Sequence, residues 1–169
     1  MQQAAFLQLV MPFKDKVYRL AKRLLVSSDE AEDATQELIL KLWNKKDELD
    51  KYKNVEAYAM TMTKNYCFDQ LKSKRADNLT LVHSNFTNND TSLEKVVELK
   101  DSINNVHQII EGLTEQQKLI IQLRDVEQYE FEEIAEIVGL KPTAIRVALS
   151  RARKTVREQL IKKHQYGIS

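Results

Sequence analysis

The stretch FEEIAEIVGLKPTAIRVALSRARKTV, residues 131–156, contains the clearest indication of how this chain folds. Its apolar residues recur at steps of three and four, as on the buried face of an α-helix: Ile134, Val138, Ile145, Leu149, Ala152 and Val156. The pattern is interrupted at Gly139, a residue able to take the left-handed conformation that ends a helix. Pro142 follows at a position where a first-turn proline is tolerated. The stretch therefore predicts a helix-turn-helix unit.

The second helix of this unit is strongly basic. Residues 141–163 contain eight Lys or Arg residues and one acid, Glu158. A recognition helix presents such side chains to phosphates and base edges in the major groove of DNA. The candidate contacts to double-stranded DNA are Lys141, Thr143, Ala144, Arg146, Arg151, Arg153 and Lys154. Arg146 is the candidate for a bidentate hydrogen bond to guanine. A three-helix bundle with a basic tail and no DNA ligand is the alternative interpretation.

The composition excludes several classes of protein. The 169 residues are 43% apolar and 30% charged, with three Gly and two Pro. Gly and Pro interrupt helices and form tight turns, so their scarcity favours long helices over an all-β chain. No run approaches the roughly 18 apolar residues of a membrane span, so we expect no membrane insertion. The single cysteine, Cys67, excludes an internal disulfide and favours a cytoplasmic location.

The N-terminal part repeats the helical pattern three times. A first apolar stripe covers residues 6–25. Ser27 and Glu30 form a capping box for a second helix, and Asn54 is a suitable N-cap for a third, which ends in a basic run. We therefore predict an all-α protein whose residues 1–76 form an N-terminal helical bundle.

A polar segment separates the two helical parts. Residues 77–105 are rich in Asn, Ser, Thr and Asp and contain few apolar side chains that a core could bury. This composition predicts a flexible, slightly acidic linker with a short helix at 92–99. Residues 106–169 then form the C-terminal helix-turn-helix domain. The prediction is thus two small helical domains joined by a flexible linker.

The net charge of +1 conceals a strong sorting of charges. Residues 29–37 contain five acids and no base, and residues 111–140 contain eight acids and two bases. Residues 41–75 contain nine bases and five acids. Basic blocks favour phosphate and acidic blocks favour a basic protein surface, so the chain is expected to meet two kinds of partner. Solvated helix faces are the alternative explanation.

Cations alternate with aromatic rings in the first basic block: Lys51, Tyr52, Lys53, Tyr58, Lys64, Tyr66, Lys72, Lys74 and Arg75. This chemistry suits single-stranded nucleic acid, whose bases stack on rings while ammonium groups follow the backbone. Taken alone, Tyr58 and Tyr66 are better interpreted as core residues than as platforms for base stacking.

The sequence gives little support for catalysis. His83, His107 and His164 are not paired with Cys67 or with a carboxylate at helical spacing, and there is no glycine-rich phosphate loop. We expect no enzyme activity, no metal, no cofactor and no small-molecule substrate, and Cys67 is expected to be a buried structural thiol.

Taken in order, the motifs resemble those of bacterial RNA polymerase sigma factors of the extracytoplasmic-function (ECF) type. The matching motifs are DATQE at 33–37, YAMTMTKN at 58–65, DQLK at 69–72, EIAEI at 133–137 and LSRAR at 149–153. The resemblance covers nearly the whole chain.

The resemblance implies a subunit that directs core RNA polymerase to promoters, with an anti-sigma factor as a second protein partner. Asp33, Gln36 and Glu37 would contact a coiled coil on the polymerase. The residues that would hold the melted promoter strand are Lys51, Tyr52, Lys53, Asn54, Tyr58, Asn65, Lys72, Lys74 and Arg75. The helix-turn-helix would bind the upstream promoter element as double-stranded DNA.

Four positions depart from the family pattern. Ala59 stands where the family has Leu, and Lys141 stands in the turn where a capping Ser is common. Tyr58 stands where the family has Trp, and Ala148 stands where Arg is frequent, so the base-reading contacts are expected to differ. The alternative function is a stand-alone helix-turn-helix regulator, which would act as a dimer to match two half-sites.

Overall fold

The computed structural model describes residues 1–84 and 102–168, and every regular element in these two ranges is a helix. In chain order the elements are α1 (Gln3–Leu25), α2 (Ser28–Asn44), a 3-10 helix (Lys46–Lys51), α3 (Val55–Ser84), α4 (Ser102–Glu111), α5 (Glu115–Ile121), a π-helical turn (Gln122–Val126), α6 (Phe131–Val138) and α7 (Pro142–Ile168). The predicted all-α class is confirmed.

The predicted helix boundaries rest on local hydrogen bonds that the structure contains. The Ser27 hydroxyl accepts from the Glu30 amide at 3.2 Å at the start of α2. Thr114 and Gln117 form a reciprocal capping box before α5. Gly139 ends α6 in the left-handed region with φ 83°. Each of these satisfies backbone groups that a helix end leaves unpaired.

The N-terminal lobe is made of α1, α2 and α3, which pack on one another. Helix α1 begins at Gln3 and passes through Pro12 without ending. Ala31 and Ala34 are fully buried on α2, and such small side chains allow two helix backbones to approach closely. Phe6 packs edge-on against Trp43, with ring centroids 5.1 Å apart.

The C-terminal lobe contains the predicted helix-turn-helix, formed by α6, its glycine turn and α7. Its fully buried side chains lie on α5, the π-helical turn, α6 and α7: Leu119, Ile120, Leu123, Ile134, Ile137, Ile145 and Ala152. On α6, Ile137 is buried although the predicted stripe omitted it, and Val138, which the stripe included, is only partly buried. The π-helical turn after α5 was not predicted, and it is closed by a bond from the Glu127 amide to the Gln122 carbonyl at 3.0 Å.

Helices α3 and α4 extend into the segment predicted as a linker. Helix α3 continues to Ser84, because Ala76 and Leu79 are good helix formers that prolong it beyond the basic run. Helix α4 begins at Ser102, before the predicted start of the second domain. The short helix predicted at 92–99 lies outside the described residues, and the domain boundaries remain a prediction.

The two lobes are docked against each other. Helix α1 packs on α5 and α3 packs on α6, and buried residues of both lobes form one continuous apolar cluster. Arg19 donates two hydrogen bonds of 2.7 Å to the Glu127 carboxylate across the seam. The sequence analysis left this arrangement open.

Candidate protein and nucleic-acid interfaces

The acidic face of α2 lies at the surface of the N-terminal lobe. Asp33, Gln36 and Glu37 are exposed and follow one another at helical spacings of three and four, so they share one face. Ala34 and Leu38 point the opposite way, into the core. The packing of α2 therefore fixes which side of it an external protein can reach.

An apolar groove adjoins this acidic face, between α1 and α2. It has a volume of about 610 Å³, and its lining includes Leu7, Gln36, Leu40 and Trp43. Leu40 is 54% exposed and Leu7 43% exposed. The sequence does not predict this groove, because Leu7 and Leu40 lie outside the apolar stripes and only the packing of α1 on α2 brings them together.

Two of the predicted strand-binding tyrosines stack on each other. The rings of Tyr52 and Tyr58 are 4.0 Å apart between centroids and nearly parallel, with an interplanar angle of 13°. The Lys45 ammonium donates to the Tyr58 hydroxyl at 3.4 Å. A hydrogen bond to Tyr58 raises the pKa of Tyr52. Lys45 was not among the predicted residues, and only the structure shows that it joins this cluster.

A stripe of predicted strand-binding residues runs along α3. Tyr58, Asn65 and Lys72 are spaced by seven residues, and such residues stay within about 20° of one line on a helix. Asn65 and Lys72 are exposed, as are Lys51 and Lys53 before the helix. Tyr58, Asn65 and Lys72 therefore lie on one side of α3.

Three other predicted strand-binding residues have different positions. Asn54 caps α3 by accepting from the Ala57 amide at 3.0 Å. Lys74 lies beside α2, where its ammonium donates to Glu30 at 2.6 Å. Arg75 pairs with Glu115 of the C-terminal lobe at 2.9 Å.

The recognition helix α7 has an open face. Thr143, Ala144 and Arg151 are exposed and line a shallow depression of about 410 Å³ together with Leu140 and Val147. Lys141 and Lys154 are also exposed. Val147 is 49% exposed and was not among the predicted contacts, although its position four residues after Thr143 places it on the same face. A branched apolar side chain there suits contact with a thymine methyl group.

Arg146 and Arg153, the two remaining arginines of the predicted site on α7, contact other side chains of the C-terminal lobe. The Arg146 guanidinium lies 4.8 Å from the centre of the Phe131 ring, and Arg124 lies 4.4 Å from the centre of the same ring. Arg153 pairs with Asp125, and its Nε atom donates at 3.1 Å. Both arginines therefore have partners within the C-terminal lobe.

The described residues contain no group of His, Cys, Asp and Glu side chains suited to hold a metal ion. Residues 1–84 and 102–168 also include no helix long and apolar enough to cross a membrane.

Cys67 is fully buried, as predicted for a structural thiol. Burial raises the pKa of its thiol to about 12, so the side chain is protonated at neutral pH.

Because the thiolate is the reactive form, we expect iodoacetamide to leave Cys67 unmodified in the native chain and to modify it in denaturant. Mass spectrometry of both reactions measures this, and rapid labelling of the native chain would contradict it.

Two family models match separate parts of the chain. The model of sigma-70 region 2 matches residues 9–76, and the model of sigma-70 region 4 matches residues 103–156. Among curated relatives, the chain is 26% identical to the ECF RNA polymerase sigma factor SigW of Bacillus subtilis, over 94% of this chain and 90% of that protein. It is also 26% identical to the ECF RNA polymerase sigma factor SigK of Mycobacterium bovis, over 94% and 87% of the two chains.

Two solved structures share the fold. The sigma factor RpoE of Bartonella quintana, in complex with the anti-sigma factor NepR, has a TM-score of 0.73 at 23% identity and covers 92% of this chain and 96% of its own. CnrH, in complex with the cytosolic domain of CnrY, has a TM-score of 0.71 at 19% identity and covers 95% and 90% of the two chains.

Proposed function

This chain belongs to the sigma-70 family, as a sigma factor of the ECF type, and we propose that it binds core RNA polymerase and directs it to specific promoters. The observation that carries this proposal is the order of the two matched regions, 9–76 and 103–156, in one chain. The first contains the exposed acidic face of α2 and the aromatic and basic stripe of α3. The second contains a basic recognition helix with an open face.

The polymerase contact is proposed for the acidic face of α2. Asp33 and Glu37 offer negative charge and Gln36 offers an amide, all on an exposed helix face. Complementary charge steers two proteins together and fixes their register. The apolar groove beside Gln36 supplies burial that charged groups alone do not, because the core of a protein interface is depleted in charge.

The melted promoter strand is proposed to lie on α3 and on the segment before it. The Tyr52 and Tyr58 pair offers an aromatic face, and base stacking on such a face contributes about 1–3 kcal/mol per base. Lys51, Lys53 and Lys72 are exposed, and their proposed role is to bind the phosphates of the strand. Binding to the open strand in preference to the duplex shifts the promoter toward the melted state, so the sigma factor promotes opening and the polymerase performs the chemistry.

The upstream promoter element is proposed to bind α7. Thr143, Ala144 and Val147 are exposed on the open face, and their proposed role is to contact base edges. The proposed role of the exposed Arg151 and Lys154 is to contact phosphates. Polymerase and promoter DNA are found in the bacterial cytoplasm, and we propose that the protein acts there.

An anti-sigma factor is the second protein partner that we propose. RpoE and CnrH, which share this fold, were both solved in complexes, one with the anti-sigma factor NepR and the other with the cytosolic domain of CnrY. A stand-alone dimeric regulator is not favoured, since both sigma-70 regions occur in this single chain.

Co-elution with core RNA polymerase tests the proposed function. We expect the wild-type chain to co-elute and Glu37→Lys to lose co-elution, because a positive charge on the acidic face repels a basic partner. Glu132→Lys is the matched control, since Glu132 is exposed on the C-terminal lobe and the charge change is identical. Equal behaviour of the two variants would contradict the proposed contact.

A further inference from the structure

A pocket between the two lobes is lined by residues that the proposed function does not use. It lies between α1, α4 and the π-helical turn and has a volume of about 390 Å³. Small-molecule sites have volumes of roughly 300–1,000 Å³, so this pocket suits a small ligand. Its lining includes Tyr18, Lys22, Arg23, Val26, His107 and Gln122. Since α1 belongs to the N-terminal lobe and the other two elements to the C-terminal lobe, the docked lobes complete the pocket.

Arg23 is a half-buried cation in the wall of this pocket. Its Nε atom donates to the Gln122 Oε1 atom at 3.2 Å, and its Nη1 atom donates to the His107 Nδ1 atom at 3.3 Å. A guanidinium group donates and never accepts, so the Nδ1 atom of His107 accepts and carries no proton. The other N–H groups of Arg23 have no hydrogen-bond partner among the residues that the structure describes. Arg23 therefore has donors left for a ligand.

The partners of Arg23 are neutral, because the nearby carboxylate is already paired. That carboxylate belongs to Glu127, whose side chain is 3% exposed, and Arg19 donates to it through two bonds of 2.7 Å. Gln122 Nε2 donates to the same carboxylate at 3.2 Å, which turns the amide oxygen toward Arg23. Glu111 in the lining favours the charged form of Arg23, although burial lowers the pKa of Arg23 overall. A cation partly removed from water and bonded only to neutral groups is suited to bind an anion.

Unusual backbone conformations occur beside the same pocket. Val26 ends α1 at φ 66°, in the left-handed region that a β-branched residue rarely adopts. Gln122 belongs to the π-helical turn, and such turns are frequent at functional sites. Gln128, just after this turn, has φ 61°. Val26 and Gln128 are the only non-glycine residues with positive φ in the described part of the chain. Strained backbone of this kind is concentrated at ligand sites, where the surrounding structure maintains it.

We propose that this pocket binds a small phosphate monoester of about the size of a nucleoside monophosphate. The phosphate accepts hydrogen bonds from the planar guanidinium of Arg23, which matches the spacing of phosphate oxygens, and from the exposed ammonium of Lys22. Two adjacent cations suit the charge of about −2 on a phosphate monoester. The remainder of the ligand packs on Tyr18, Val26 and Val126, which also line the pocket. The proposal concerns binding and not conversion of the ligand.

Isothermal titration calorimetry of the full-length chain tests the proposal. The probes are the four common ribonucleoside monophosphates, each tested separately, and the corresponding nucleosides, which lack the phosphate. We expect at least one monophosphate to bind saturably with one site per chain, and its nucleoside to bind at least tenfold more weakly. The same monophosphate is expected to raise the melting temperature, since it binds a pocket that the folded and docked chain forms.

Two substitutions in the pocket test the assigned contacts. Arg23→Gln is expected to weaken binding of the monophosphate at least tenfold, because it removes the bidentate donor. Lys22→Gln is expected to weaken it about threefold. The Lys22 side chain is exposed and has no hydrogen bond to the described residues, so this variant keeps the fold even where Arg23→Gln disturbs the contacts to Gln122 and His107.

Arg157→Gln is the matched control. Arg157 is exposed on α7 and does not line the pocket, while its charge change is the same. We expect its affinity for the monophosphate to stay within about twofold of wild type. Failure of all four monophosphates to bind would overturn the proposal, as would equal affinity for a monophosphate and its nucleoside. An equal loss in Arg157→Gln, or an unchanged affinity in Lys22→Gln, would also overturn it.

Discussion

Leu38→Ala is expected to lower the free energy of unfolding by about 2–5 kcal/mol, since Leu38 is only 2% exposed and its loss leaves a cavity beneath α2. The same helix presents Asp33 and Glu37 to the outside. A loosened α2 would therefore also weaken the proposed polymerase contact. Urea denaturation followed by the circular dichroism of the helices measures the change.

Leu40→Ala is the matched control for this prediction. Leu40 lies on the same helix and loses the same atoms, but its side chain is 54% exposed. Its substitution is expected to change stability by no more than about 0.5 kcal/mol. Similar losses in the two variants would show that α2 does not pack through the Leu38 side.

The helices were predictable because their signals are local. Ser27, Thr114 and Gly139 act on backbone groups within a few residues of themselves, and each marks a helix boundary in the structure. The order of the motifs then sufficed to identify the family. The extension of α3 to Ser84 was missed because Asn78 and Thr80, which favour turns, are tolerated inside a helix that is already formed.

The docking of the lobes was not predictable from these signals. Arg19 and Glu127 are separated by 108 positions, and Arg75 and Glu115 by 40. The sorting of charge was visible in the sequence, but it was assigned to phosphate and to an external protein. A charge block does not specify its partner, and here part of the basic block of the N-terminal lobe is paired within the chain.

The arginines of the recognition helix illustrate a second limit. Spacing placed Arg146 and Arg153 on α7, and the structure shows that they lie on one stripe, seven residues apart. Their contacts to Phe131 and Asp125 depend on how α6 and the π-helical turn pack against α7. These contacts do not follow from the spacing within α7 alone.

Arg146→Ala is expected to change the base preferred at one position of the upstream promoter element. Loss of a bidentate contact to guanine removes about 1–3 kcal/mol of discrimination. In the absence of DNA the Arg146 guanidinium lies over the Phe131 ring, 4.8 Å from its centre. Leaving this partly exposed ring costs about 0.5–1 kcal/mol, which does not exceed the discrimination that the guanine contact supplies. Selection of preferred promoters from a double-stranded library, by the chain bound to core polymerase, measures the change.

Arg153→Ala provides the comparison. Arg153 lies further along α7, paired with Asp125, and is expected to serve phosphate binding. Its loss removes a cation and leaves the Asp125 carboxylate to repel the DNA phosphates, so the affinity for every library member should fall. The dependence of DNA affinity on salt concentration should decrease by the equivalent of about one phosphate contact. If Arg146 reads a base and Arg153 positions the helix, the two variants differ in base preference as well as in affinity. Identical changes in the two variants would show that neither reads a base.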